Sequence, residues 1–340
     1  MTRTAEARVH VAVYLPLIVP ALAAFAARPL ADRLPPAAAT WLLTASALAL
    51  AVASSAMLGV LALSALVRIP AVAALGHLSR PAIASGAVSL PVAIVAGGLF
   101  ATAAVAAGGA VWRRGRAIVA AHRHASSLPG AGQVVVTEDA AADAYTVPGW
   151  PCRIIITQGM LRVLSAGERG VLLAHERSHA QRSHYLFTSV ARLAAAANPL
   201  LRPVAAQVGY AVERWADEQA AAQASDRPLA ARAIARAALA TSAAPPRRRF
   251  AMAALGLITQ EGKRSRGGEH RPGGTAAGRG ELRRAGPVPR RVAALLAPPP
   301  RLPPLLLAAA IVLVAVSGAS ALEAARDFHQ LIELAQGPAG

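Results

Sequence analysis

Cysteine is almost absent from this sequence: Cys152 stands alone among 340 residues. No internal disulfide and no thiolate metal cluster can form, so nothing points to an oxidising compartment. Lysine is equally scarce, with Lys263 the only one, and arginine carries nearly all the positive charge. Acidic residues number 17 against 35 basic ones, a formal net charge of +18. That excess suits nucleic acid, anionic lipid or the cytoplasmic side of a membrane protein. No nucleic-acid recognition motif accompanies it, so direct nucleic-acid binding is not expected. Aromatic residues make up 4% and charged residues 15% of the chain. What remains is alanine and leucine, in a sequence that is 55% hydrophobic, the composition of helices packed in lipid or in bundles.

A helix that crosses the hydrocarbon core needs about 20 apolar residues. Four stretches qualify: Val9 to Ala27, interrupted by Pro16 and Pro20; Ala37 to Val67, without a charge; Pro81 to Trp112, also uncharged; and Leu302 to Leu322. A signal peptide is the alternative for the first, but its flanks suit cleavage poorly. Arg113, Arg114 and Arg116 crowd the end of the third stretch, and the segment from there to Arg301 holds most of the arginine. The positive-inside rule therefore puts residues 113–301 in the cytoplasm, the N-terminus outside and the Arg28 to Pro36 loop inside. The Arg68 to Arg80 loop and the tail after the fourth stretch fall outside.

Within the cytoplasmic segment, "GQVVVTEDAA" reads as a strand and "DAYTVPGWPCRIIITQGML" as a strand pair around Pro148 and Gly149. Ser165 followed by Glu168 is a capping box that starts a helix. That helix is expected to run past His184 and to end at Asn198-Pro199. A second helix is expected over Leu200 to Ala224, and a third after Asp226. From Ala243 to Pro300 the chain is rich in Gly, Arg and Pro and lacks periodicity. It reads as a disordered insertion with short helical pieces at Phe250 to Ile258 and Val292 to Leu296.

The chemistry concentrates in "LLAHERSHAQRSHYL". His175 and His179 lie four apart, so their imidazoles stand roughly 40° apart around the helix and about 6 Å apart along it. Two ring nitrogens can then converge on one Zn²⁺. Glu176 follows the first histidine directly, placed to act as general base without ligating. The bland alternative is a solvated stripe, since Arg177, Ser178, Gln181 and Arg182 surround these residues. Downstream, "YAVERWADEQAA" carries Glu213 and Asp217 four apart on the helix expected to pack antiparallel to the first. Glu213 can complete a His₂Glu set with one open position. Asp217 can accept from the far nitrogen of a ligating histidine and fix its tautomer. For this pair the alternative is a surface ladder linked through Arg214.

"VLLAHERSHAQRSHYL", "NPLLRPV" and "ERWADEQAA" together resemble the BlaR/MecR family of membrane zinc peptidases. The HtpX and CAAX-protease group shares H-E-x-x-H followed by E-x-x-A-D. "AYTVPGWPCRIIITQGMLRVLSAGE" is similar to the strand and linker before that family's zinc helix. The likeness covers roughly residues 1 to 325, with specific motifs only between 144 and 220. It implies a gluzincin-type α+β domain binding one zinc per chain, with His175, His179 and Glu213 as ligands, Glu176 as base and Asp217 supporting a ligand. The best-known members carry a penicillin-binding sensor after the last span. The tail of this chain is too short for one, so β-lactam sensing is not implied.

The sequence thus predicts a mainly α membrane protein with four transmembrane helices and a cytoplasmic metallopeptidase domain between spans 3 and 4. Its divisions are residues 1–112 (membrane region), 113–242 (peptidase), 243–301 (insertion and linker) and 302–340 (fourth span and tail). Its expected partners are the lipid bilayer and a protein substrate such as a winged-helix repressor, and its location is the cell membrane. Alternative functions are quality control of membrane proteins in the manner of HtpX, or a non-catalytic scaffold. Ile154, Ile155, Ile156 and Thr157 are a candidate edge for holding extended substrate by strand addition, or else an ordinary buried strand. Tyr145, His184, Tyr210 and Arg214 are candidate donors to an oxyanion. His184 otherwise reads as a helix-surface residue, and His122, His124, His270 and His329 as loop or tail histidines.

Overall fold

The computed structural model describes residues 2–66, 89–127, 132–149, 152–242, 286–298 and 304–336. The expected helical piece at 250–258 and the 68–80 loop lie outside these residues. In chain order the elements are α1 (Thr2–Arg33), α2 (Pro36–Leu66), α3 (Leu90–Ser127), β1 (Val134–Thr137), β2 (Ala144–Val147), β3 (Arg153–Thr157) and α4 (Gln158–Val163). They continue with α5 (Ala166–Gln181), α6 (His184–Ala197), a 3₁₀ turn (Pro199–Leu201), α7 (Arg202–Ala224), α8 (Arg227–Ser242), α9 (Pro287–Leu296) and α10 (Pro304–Gln336).

Among the described residues, two helices are long and apolar enough to cross a membrane, Pro36–Leu63 within α2 and Leu90–Ser127, which is α3. The first apolar stretch is also helical, within α1, as is the fourth from Pro304 onward, within α10. α1 continues through Pro16, Pro20 and Pro29. α2 is the hub, packed on α1, α3, α6, α7 and α10.

The sheet has the order β1-β3-β2, with β1 parallel and β2 antiparallel to β3. β3 is therefore the central strand. The expectation of a free edge along Ile154 to Thr157 is corrected: both backbone edges of that stretch are paired, and its side chains are buried. Alternation divides them between two faces. Ile154 and Ile156 pack with Met160, Leu164 and Leu172, while Ile155 packs with Ala121 and Ala125 at the far end of α3. Each such burial is worth roughly 1.5–3 kcal/mol. Gly159 admits the loop from β1 to β2: a Cβ there would lie 2.2 Å from the Ala140 carbonyl oxygen.

Ser165 and Glu168 form the expected capping box at the start of α5. The helix does not run through to Asn198, however. It stops at Gln181, and α6 begins at His184. Ser183 between them is left-handed, with φ 50° and ψ 42°. That conformation costs a non-glycine residue on the order of 1–2 kcal/mol, so no sequence preference marks it. The break turns His184 inward.

α6 and α7 form a hairpin laid along α2. Ala191, Ala194, Val204 and Val208 share one core with Leu43, Ala47 and Leu50. At its tip Asn198 donates from Nδ2 to Ser54 Oγ at 3.0 Å. Ser54 lies roughly 27 Å along α2 from Pro36, at about 1.5 Å per residue. At the other end Ala211 packs with Leu34 and Ala39, and Arg214 donates to the Ala31 carbonyl at 2.5 Å. Glu213 is thus level with the turn between α1 and α2.

Candidate metal centre

α5 and α7 pack side by side and bring three side chains to a point. His175 Nε2 lies 3.1 Å from His179 Nε2 and 3.6 Å from Glu213 Oε2, and His179 Nε2 lies 3.6 Å from Glu213 Oε1. Ligands at about 2.0–2.1 Å around a tetrahedral ion stand about 3.4 Å from one another. The trio fits that spacing and leaves the fourth corner open. These three residues can hold a metal ion. Glu176 is 7% exposed, lines the same cleft and stands outside the converging trio. It accepts at Oε2 from Thr146 Oγ1 at 2.8 Å, which ties it to β2.

The far side of each histidine is held differently. Asp217 Oδ1 is 3.0 Å from His175 Nδ1, a contact of ion-pair length without the alignment of a hydrogen bond. Arg291 from α9 grips Asp217 with two bonds of 2.7 Å and reaches Glu213 Oε2 at 3.0 Å. Burial works against a charge on His175, but the close carboxylates of Asp217 and Glu213 outweigh it and lift the imidazole to about 10. Burial would also raise Glu213. The Arg291 and His179 charges outweigh it and hold the carboxyl well below its ordinary value, ionised and ready to ligate.

His179 instead meets His184, Nδ1 to Nδ1, at 3.1 Å. A metal held at His179 Nε2 would leave that ring's proton on Nδ1, from which it can donate to His184. His184 is 1% exposed and packs against the Trp215 ring. Burial first, and then the neighbouring His179, push it down to about 3, so it stays neutral and able to accept. The reading of His184 as a surface residue is corrected accordingly.

Sequence reasoning missed three further contributors. Thr146 gives only a strand signal. Asp143 lines the cleft, and burial, opposed by the Ala144 N–H and reinforced by the Glu176 charge, pushes its carboxyl up to about 6. Arg291 comes from the stretch expected to be mostly irregular. α9 is fixed there by Arg290 to Asp32 at 2.5 Å, by Arg290 over the Tyr210 ring at 4.0 Å, and by Arg227 to the Leu295 carbonyl at 2.8 Å. Of the candidate oxyanion donors, Tyr145 and His184 line the cleft. Arg214 is buried against α1 and Tyr210 sits under Arg290, so neither belongs to the cleft wall. Tyr185, not singled out from the sequence, does line it. Ile154 to Thr157 lie behind β2, whose residues Ala144, Tyr145 and Thr146 face the cavity.

A cleft of about 510 Å³ with two histidines and a glutamate converging beside a tethered second glutamate is an arrangement that can support metal-assisted hydrolysis. Residues 112–244 match the model of peptidase family M48. The chain therefore carries a peptidase domain, and the match supports metallopeptidase function. It takes in the end of α3, the sheet and α4 to α8, including all three candidate ligands and Glu176, and stops short of Arg291. No curated protein and no solved structure matches the chain.

Proposed function

We propose that this protein is an integral membrane zinc endopeptidase of the BlaR/MecR layout. It hydrolyses a cytoplasmic regulatory protein, such as a transcriptional repressor, or its own chain. The observation that carries the reading is the convergence of His175, His179 and Glu213 beside Glu176. The donor set suits Zn²⁺, which favours nitrogen and carboxylate ligands in a tetrahedron. α1, α2, α3 and α10 are the spans, with the arginines after Trp112 on the cytoplasmic side. Reporter fusions test this: one at Arg116 should read cytoplasm and one at Gly340 the outside.

When bound, the zinc supplies a Lewis acid that polarises the scissile carbonyl and eases deprotonation of water in the open position. Glu176, held by Thr146, takes the proton from the attacking water and returns it to the leaving amine. Tyr145 and Tyr185 offer phenolic donors to the carbonyl oxygen as it gains charge. Burial, and then the Asp143 charge, raise Tyr145, which keeps its donor proton in place. Among the described residues the outer edge of β2 pairs with no strand; it runs along the cleft and suits an extended substrate strand.

The test is Glu176→Gln, with zinc and peptide cleavage measured together. Cleavage should fall about 10²–10⁴-fold while about one zinc per chain is retained, since Glu176 does not ligate. Undiminished cleavage by the variant would sink the assignment. A second reading, quality control of membrane proteins, is favoured by the level of Glu213 beside the α1–α2 turn, where polypeptide leaves the bilayer. A proteome-wide comparison of fragments from wild-type and Glu176→Gln cells separates the two: one regulatory target, or many membrane proteins.

A further inference from the structure

A second cavity, also of about 510 Å³, lies between α3 and α6. Its walls are of two kinds. Val111, Val190 and Leu193 are apolar, while Arg113, Arg114 and Arg192 bring three guanidiniums. Their height follows from α3. The run from Leu90 to Trp112 is uncharged and spans roughly 34 Å, close to the hydrocarbon thickness of about 30 Å. Its outer side chains, including Val95, Leu99, Val105 and Trp112, are exposed in the isolated chain. The arginines begin at the next residue, at headgroup level. α6 reaches the same level, because Arg114 Nε donates to Ser189 Oγ at 2.9 Å.

We infer that this groove binds an anionic glycerophospholipid. Its acyl chains lie against Val111, Val190 and Leu193, and its phosphate is held by Arg114 and Arg192. Guanidinium forks match phosphate oxygens in geometry and charge. Basic pockets between helices on the cytoplasmic side are suited to such headgroups. A zwitterionic lipid offers the same phosphate, but its ammonium meets three like charges, so the groove selects net negative charge. Arg114 and Arg192 also line the metal cleft, together with Glu176 and His179. A bound headgroup therefore stands at the wall of the catalytic cavity, and lipid composition becomes an input to the peptidase. The inference rests on α3 crossing the bilayer and not on the metal chemistry.

The test uses the full chain in nanodiscs of phosphatidylcholine with rising phosphatidylglycerol, followed by native mass spectrometry of retained lipid and zinc analysis of the same samples. Wild type should retain phosphatidylglycerol in preference to phosphatidylcholine. Replacing both Arg114 and Arg192 by Gln should weaken retention about twenty-five-fold, at about fivefold for each guanidinium. The corresponding double Lys variant keeps charge without the fork and should fall between. Arg116→Gln, which does not line the groove, should match wild type, and all variants should keep their zinc. Equal retention by the double Gln variant, equal retention of both lipids, or displacement of the lipid by millimolar inorganic phosphate alone overturns the assignment. Failure of the chain to enter bilayers overturns it too, while zinc content then still reports on the metal centre.

Discussion

The two sides of the candidate metal centre are built from opposite materials. Behind His175 stands a buried ion pair, Asp217 with Arg291, extended to Glu213. Behind His179 stands a neutral imidazole, His184, packed against Trp215. Both arrangements fix a ring and its tautomer. Only the first also supplies charge, which makes His175 the stronger base and leaves it protonated when metal is absent. The difference teaches that holding a ligand in place and tuning its basicity are separable tasks, which this fold divides between separate helices.

The comparison can be broken most severely at the element both sides share. Glu213→Ala should abolish zinc binding and cleavage together, with metal content falling from about one per chain to near none. Arg291→Leu strikes the charged side and, through its contact with Glu213, the shared ligand as well. It leaves the buried Asp217 carboxylate with only the His175 imidazolium to offset it, and the metal-free protein should lose up to about 3–5 kcal/mol in denaturant unfolding. An unfolding midpoint equal to wild type would show that the ion pair is not a support. Asp217→Asn keeps the shape and removes the charge, and zinc affinity should drop about 10- to 100-fold in competition with a chelator. His184→Phe on the neutral side should cost less, about tenfold by the same measurement.

The smallest effect is the pH response. His175 free of metal titrates at about 10, so near neutrality it must release a proton to ligate. Raising the pH helps: zinc affinity should rise about tenfold between pH 7 and 8, with about one proton released per zinc bound. Calorimetry in buffers of differing ionisation enthalpy reads this directly. In Asp217→Asn both the slope and the proton count should shrink, and in His184→Phe they should not.

Much of the centre is visible in local spacing. His175, Glu176 and His179 are set by helical periodicity, and Glu213 and Asp217 by the same periodicity on the next helix. The strand pair around Pro148 and the capping box at Ser165 carry equally local signals. What stayed hidden depends on contacts between distant segments. Arg291 lies 74 positions from Asp217, in a stretch whose composition argues against order. His184 faces the site only because Ser183 adopts a left-handed conformation for which serine has no preference. An isoleucine run reads alike in a central and an edge strand, so the position of β3 follows from its partners and not from its own residues.

The hairpin of α6 and α7 has one more consequence. Ala191, Ala194, Leu201, Val204 and Val208 are covered by α1 and α2, helices that lie before the segment matched to the peptidase family. Excising residues 112–244 as a soluble enzyme would bare that whole seam to water, and exposed apolar patches of this kind drive aggregation. The helices that carry the candidate ligands share an apolar core with the first two helices, so truncation should yield inclusion bodies where a self-contained domain would yield a crystallisable fragment.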